Sequence, residues 1–432
     1  MGLVINVGVV LESPEPITPS ALTDALRKAG ERHPFFRARL IKGEDSKWRL
    51  EERDAAMPLE ECTHESGRPV GREEWQAQFL RFAALVKDFS ASTVFAQLWT
   101  SRSESSLISC IFLSIHHCCI DGPGAFAAMH DLLSFLSDPS RPVTPLPLRD
   151  PCADLPIGKI LSLDPPPVAV LMAEPQMAAK CEAPLAADQM DVATMSDDEK
   201  AIKGKFIAFT PEETTELLQR ARKHAASVQA LLTVVGLISV HKANRAMTEA
   251  DPAAVKPTKA VAMLAYQMRP LLTYDPPVTS DECIVGGGGL WVSIDLADES
   301  ASLWHLAADV KRQIQSETDS DGPLRFFRLL LNQDPFPKTT LFASSIGKTP
   351  VEGTYGPLTV RDALFVGGAN IREHARPNVA LHAFAAGGRM HVTVSYGPGY
   401  GKERIASFAR CVEGALRACM EGDGVRVADV TF

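Results

Sequence analysis

His116-His117-Cys118-Cys119-Ile120-Asp121-Gly122 closes an apolar run, Leu107 to Ile115, and opens directly into a helical pattern from Ala125 to Leu136. Leu107, Ile111, Leu113 and Ile115 alternate with Ile108, Cys110 and Phe112, so both faces of the strand are apolar. Such a strand is expected at the centre of a sheet, covered on both sides. The period of two directs His117 to the face of Ile115 and His116 to the opposite face. Gly122, Pro123 and Gly124 suit a tight turn into a helix with proline in its first turn. Phe126, Met129, Leu133 and Leu136 share one face of that helix and are expected in the core. A base at the end of a buried strand, beside a helix N-terminus, is an arrangement suited to catalysis.

The flanking chain alternates strands and helices. Residues 2–11 (GLVINVGVVL) read as a first strand. Thr18-Pro19-Ser20 opens a helix with Leu22, Ala25, Leu26 and Ala29 on one face. Arg32-His33-Pro34 leads into a strand whose hairpin partner is Lys47 to Glu51. A helix is expected over 73–86, and adjacent strands over 91–100 and 107–117. Prolines then crowd residues 138–200 (among them Pro139, Pro142, Pro145, Pro147 and Pro165-Pro166-Pro167), which read as an inter-domain crossover. This divides the chain into an N-terminal lobe, 1–185, and a C-terminal lobe, 186–432.

The second half restarts with a strand over 205–209 and a helix capped by Thr210-Pro211-Glu212-Glu213. A long apolar helix, about 227–243, is expected to be buried. A strand from Val261 ends at Arg269-Pro270. Gly286 to Gly289 reads as a flexible turn; a strand follows it and there is no GK[ST], so it is not a phosphate loop. Helices over 302–315 and 324–332 precede strands near 339–344, 358–365, 379–385 and 389–396. The last helix puts Ile405, Phe408, Val412 and Leu416 on one stripe.

Composition sets the class. At 432 residues the chain has room for two domains, and its 45% hydrophobic and 22% charged residues suit a soluble globular protein with substantial cores. A formal net charge of -9, without a dense Lys/Arg block, argues against nucleic-acid binding. No apolar run is long enough for a stable membrane insertion. The start has neither a basic n-region nor a cleavage site, and the nine scattered cysteines lack a CxxC. Reduced thiols and a cytoplasmic location are expected.

The run from His116 to Gly122 has the form HHxxxDG, and on it the chain resembles the chloramphenicol-acetyltransferase-like superfamily. That group includes condensation domains, polyketide-associated acyltransferases and alcohol acetyltransferases. Further segments are similar in the same order: the first helix with Arg32-His33-Pro34, Ala265-Tyr266-Gln267-Met268-Arg269-Pro270, Phe342-Ala343-Ser344-Ser345-Ile346-Gly347, and Gly387-Gly388-Arg389-Met390-His391-Val392. No DFGWG is present, and no adenylation or carrier module follows. The resemblance implies an α/β fold of two chloramphenicol-acetyltransferase-like lobes, each a mixed sheet with flanking helices, with a tunnel between them.

The resemblance also implies roles. His117 is the general base, a task suited to an imidazole whose ordinary pKa lies near 6.5. His116 is a structural brace. Asp121 turns from the base to pair with Arg269, and Gly122 belongs to the same structural set. Gly124, at the helix start, and Ser344 or Ser345 are candidate oxyanion or substrate contacts. Tyr266 and Trp291 are candidate tunnel residues or core. Cys118 and Cys119 read as loop packing. No metal site is expected, because neighbouring residues of a strand point apart.

The expected activity is acyl transfer from a thioester, as acyl-CoA, to a hydroxyl of a small hydrophobic, secondary-metabolite-like acceptor. The attack is direct, in a ternary complex of a monomer, with no cofactor beyond the co-substrate acyl-CoA. One rival is a stand-alone condensation enzyme that takes acyl groups from a carrier protein and forms an amide or ester. Another is a cyclase or binding protein on the same fold.

Overall fold

Strand β1 (Leu3–Ser13) lies inside a sheet because it has an apolar set for each face. The structure, a computed structural model, describes residues 3–53, 55–64, 70–102, 107–147, 157–167, 179–185, 203–248, 257–271, 277–279, 282, 287–332, 339–369, 379–397 and 400–431. Much of the proline-rich crossover (148–156, 168–178 and 186–200) therefore lies outside the described residues. Helix α1 (Pro19–Arg32) is capped by Thr18, whose hydroxyl accepts from the Ala21 amide, and buries Leu22, Ala25, Leu26 and Ala29. Strands β2 (Ala38–Lys42) and β3 (Trp48–Glu52) form a hairpin. Strand β4 (Leu59–His64), helix α2 (Arg72–Ala84), strands β5 (Val94–Arg102) and β6 (Leu107–His116), and helix α3 (Gly122–Ser137) complete the first part.

Helix α4 (Ile157–Ser162) precedes the second part. There, strand β7 (Lys203–Ala208) leads to helices α5 (Pro211–Lys223) and α6 (Val228–Thr248). Strands β8 (Lys259–Gln267) and β9 (Gly287–Asp295) follow, then helices α7 (Leu303–Asp319) and α8 (Gly322–Asn332). Strands β10 (Leu341–Lys348), β11 (Thr354–Tyr355), β12 (Leu358–Ala369), β13 (Val379–Ala386) and β14 (Arg389–Tyr396) end at helix α9 (Lys402–Glu421). The described strands form two six-stranded sheets, ordered β11-β12-β1-β6-β5-β4 and β7-β14-β13-β10-β8-β9.

Each sheet is covered. On the first, Ile5, Val7, Val9, Ile111, Leu113 and Ile115 pack with α1 and α3, while Val10, Cys110 and Phe112 pack with Phe79 and Phe82 of α2. On the second, one large core joins the sheet to α5, α6, α7 and α9. The lobes meet where Phe126 of α3 lies between Phe365 of β12 and Phe384 of β13, at centroid distances of 5.8 Å and 4.7 Å.

The sheets do not follow the division of the chain at 185/186. Strands β11 and β12 come from the second half but extend the first sheet, with β12 antiparallel to β1. The physical reason is burial on both sides. Ala363 and Phe365 enter the α1/α3 core, and Leu364 and Val366 enter the α2 core. The glycine run also departs from expectation. Gly287 to Gly289 belong to β9, and a Cβ on Gly289 would stand 2.4 Å from Phe326 Cδ2, while one on Gly288 would stand 2.8 Å from Met268 Sδ. The missing side chains admit Phe326 of α8 and Met268; they do not make a turn.

Gly236 of α6 is a similar close approach. A Cβ there would come within 2.4 Å of Leu341 Cδ2 and 2.6 Å of Leu381 Cδ1, both fully buried residues. Helix propensity alone favours alanine over glycine by about 1 kcal/mol, but overpacking a closed core costs about 1–3 kcal/mol. Gly236→Ala is expected to lower stability, seen as a lower denaturant midpoint; a raised midpoint would show that α6 can lift off the sheet without penalty.

Among the described residues, no single helix is long and apolar enough to cross a membrane. The pair α5 and α6 passes by length and composition, but it bends by 95° and α6 is buried in the second core.

Candidate active site

The turn after β6 is clamped at both ends. On the strand side, the His116 amide donates to Thr93 O (2.9 Å), and the carbonyl of His116 accepts from the Cys119 amide (3.0 Å). The His116 ring packs edge-on against Phe89 at 4.7 Å, and its Nδ1 accepts from the Cys118 amide at 3.1 Å. On the helix side, Ile120 is fully buried and Asp121 caps α3, Oδ1 accepting from the Gly124 amide at 2.9 Å. His117 lies between the clamps, half-buried and without a hydrogen-bond partner among the described residues. The result is one unengaged imidazole held on a short, well-tied turn.

Among the described residues, no hydrogen bond joins that imidazole to Asp121. Arg269, just beyond β8, donates twice to it, Nη1 to Oδ2 at 2.8 Å and Nη2 to Oδ1 at 3.0 Å. Nη2 also donates to the carbonyl of Glu282 at 2.7 Å. The side chains of the pair are 7% and 5% exposed, so the ion pair is buried and joins the two lobes at the turn.

The glycines act by close approach. Both lie within α3, and neither is among the described positive-φ glycines (347, 356, 387 and 388). A Cβ on Gly122 would meet Ile346 Cδ1 at 3.0 Å, and one on Gly124 would meet Asp121 Oδ1 at 3.1 Å and Arg269 Nη2 at 3.4 Å. The expected tight turn is thus replaced by a helix start against which Ile346 and the ion pair press. The Gly124 amide, a candidate oxyanion or substrate contact by its position, donates to Asp121 Oδ1 in this structure.

Ser344 and Ser345 lie on β10, opposite His382 and Ala383 of β13. The ladder skips Ile346, and that residue reaches Gly122. Among the described residues, neither serine hydroxyl bonds to the turn from His116 to Gly122. Trp291 lies in a small core with Val261 and Leu329. Among the described residues, no group of three or more His, Cys, Asp or Glu is placed to hold a metal.

The sequence matches no protein-family model, and no curated protein matches it. Solved structures do. Polyketide synthase associated protein 5 from Mycobacterium tuberculosis superposes with a TM-score of 0.65 over 97% of this chain and 93% of its own, at 16% identity. The TRI3 trichothecene 15-O-acetyltransferase from Fusarium sporotrichioides does so with a TM-score of 0.66 over 97% and 91%, at 11% identity. For the first condensation domain of the calcium-dependent antibiotic synthetase, in complex with a substrate analogue, the TM-score is 0.67 over 99% and 94%, at 12% identity. The fold is the chloramphenicol-acetyltransferase-like fold.

Within this two-lobed chloramphenicol-acetyltransferase-like fold, the partners of several polar residues escape sequence reasoning. Arg32 and His33 both reach Asp131 of α3, at 2.6 Å and 2.9 Å. Burial pushes the Asp131 carboxyl up, but the bonds from His33 and Arg32 outweigh it and hold it below the usual carboxylate range. Arg32 and His33 thereby tie the end of α1 to the helix that follows the turn from His116 to Gly122.

His382 and His391 form a second group. They are 5% and 4% exposed, between the sheets. His382 packs on Phe365 at 5.3 Å, and His391 stacks on Phe384 at 5.0 Å. Burial pushes both imidazoles down to about 4, although Asp362 near His391 pulls the other way. An imidazole in the unfolded chain titrates near 6.5. Between those values the unfolded chain binds more protons, so stability is full above about pH 6.5 and falls as pH drops toward 4. Each histidine contributes a loss of roughly 3 kcal/mol at most. His382→Phe is expected to lose less stability than the parent between pH 7.5 and 4.5 in denaturant unfolding. Parallel pH profiles would refute the assignment.

Proposed function

We propose that this protein transfers an acyl group from a thioester to a hydroxyl of a small hydrophobic acceptor, with His117 as general base. The observation that carries this reading is the half-buried imidazole without a hydrogen-bond partner among the described residues, on a turn whose aspartate is committed to Arg269. A hydroxyl is a poor nucleophile until its proton is removed, and a positioned imidazole supplies that removal as attack begins. His117 takes the proton as the hydroxyl oxygen attacks the thioester carbonyl. Collapse of the tetrahedral intermediate expels the thiolate, which receives the proton from His117. No acyl-enzyme and no cofactor is needed, and acyl-CoA is the co-substrate. Ser344 and Ser345, on the strand that reaches the turn through Ile346, are the proposed hydroxyl donors to the oxyanion or substrate. The 15-O-acetyltransferase among the similar structures supports transfer of an acyl group to a hydroxyl oxygen.

The condensation domain among those structures supports the second reading, in which the donor is carried by a protein and the product is an amide or ester. One assay separates the two. Acceptor panels are incubated with short and medium acyl-CoAs, or with the same acyl groups on a carrier protein, and products are read by mass. Turnover with acyl-CoA is the expected result; turnover with the carrier alone selects the condensation reading. Binding of acceptors without turnover from either donor, in a protein indifferent to loss of His117, selects a non-transferase.

A further inference from the structure

The turn holds two thiols that the acyl-transfer chemistry leaves unused. Cys118 and Cys119 are consecutive, yet their Sγ atoms are 3.5 Å apart. Cys118 is half-buried, whereas Cys119 is 1% exposed. The Cys118 amide donates to His116 Nδ1, which keeps that imidazole beside the first thiol. The hydrogen bond with Cys119, opposed by burial and aided by His116 and His117, brings the Cys118 thiol down to about 5. Cys62, Cys110, Cys181, Cys411 and Cys419 all move the other way, each chiefly through burial. Among the described cysteines, then, only Cys118 combines access, thiolate character and a neighbouring sulfur. Those are the attributes of a redox-reactive cysteine with a resolving partner.

We propose that Cys118 and Cys119 are a modification site for small-molecule disulfides of the glutathione type, with Cys118 attacking and Cys119 resolving. The Cys118 thiolate attacks one sulfur of the disulfide, whose S–S bond breaks and releases one thiolate. Cys119 then attacks the Cys118 sulfur of the mixed disulfide, giving its proton to the second departing thiolate. Two protein thiols are oxidised to one disulfide, and one small-molecule disulfide is reduced to two thiols. Closure draws the sulfurs from 3.5 Å to about 2.05 Å. It does so between His117 and the Asp121 cap, so the reorganised turn displaces the base and the oxidised protein is the inactive form.

The test needs no substrate. The native chain is incubated with oxidised glutathione, quenched in acid and mapped by peptide mass. The expected result is a transient glutathione adduct on Cys118, then a peptide carrying both cysteines that has lost two hydrogens, with dithiothreitol restoring the thiols. Cys119→Ala is expected to stop at the Cys118 adduct, and Cys118→Ala to leave Cys119 unmodified; unchanged melting temperatures show that both variants fold. A parent protein that keeps both thiols while Cys62 or Cys181 reacts would overturn the proposal. So would a stable Cys118 adduct that never closes.

Discussion

His117→Ala loses acyl transfer by about 10²- to 10⁴-fold in kcat/KM, the usual contribution of a positioned general base. That range corresponds to roughly 3–5.5 kcal/mol of transition-state stabilisation. The fold should barely respond, because the side chain is half-buried and no hydrogen bond among the described residues depends on it. A melting temperature close to that of the parent, with kcat lowered and KM little changed, is therefore the signature. His116→Ala should behave differently. It removes the acceptor for the Cys118 amide and the contact with Phe89, so it lowers stability and activity together. The proposed mechanism fails if His117→Ala retains full kcat/KM with an identified donor and acceptor.

Asp121→Ala and Arg269→Ala each destabilise the protein by about 3–5 kcal/mol, the cost of leaving one member of a buried pair without its partner. The first also removes the cap of α3, worth a further ~1 kcal/mol. After it, the Arg269 guanidinium keeps only the carbonyl of Glu282 among the described residues. After the second, Asp121 keeps the Gly124 amide. The double variant Asp121→Ala/Arg269→Ala is expected to be less destabilised than the sum, with a coupling of about 2 kcal/mol or more in a denaturant-unfolding cycle. Activity falls in all three because the turn loses its anchor to the second lobe. Single-variant losses below about 1 kcal/mol would mean that water, not the partner, satisfies these groups.

Much of this arrangement is legible in local pattern. The two apolar faces of Leu107–His116 mark a central strand, and the structure pairs it with β1 and β5. The Thr18 and Thr210 caps, the buried α6 and the stripe of α9 likewise follow from periodicity and capping. Arg269 enters only through the resemblance, since nothing within its own segment says which carboxylate it meets. The glycines mislead for a related reason. Gly122, Gly288 and Gly289 look like turn residues by type, but Ile346, Met268 and Phe326 press on them from other segments of the chain. Strand β12 pairs with β1 across the seam at 185/186, because its Ala363–Val366 run is apolar on both faces and finds a core on each.

What the sequence determined by itself is the set of elements and the chemistry offered at one turn: a strand, two histidines, an aspartate and a helix. These depend on interactions within a few residues, where periodicity and hydrogen-bonding capacity leave little choice. The tertiary structure decided which groups meet there. It put β12 beside β1, brought Arg269 to Asp121, and seated Ile346 against Gly122. Those outcomes depend on burial and pairing between segments far apart in the chain, where the competing partners are chemically alike and only the closed packing of both lobes selects among them.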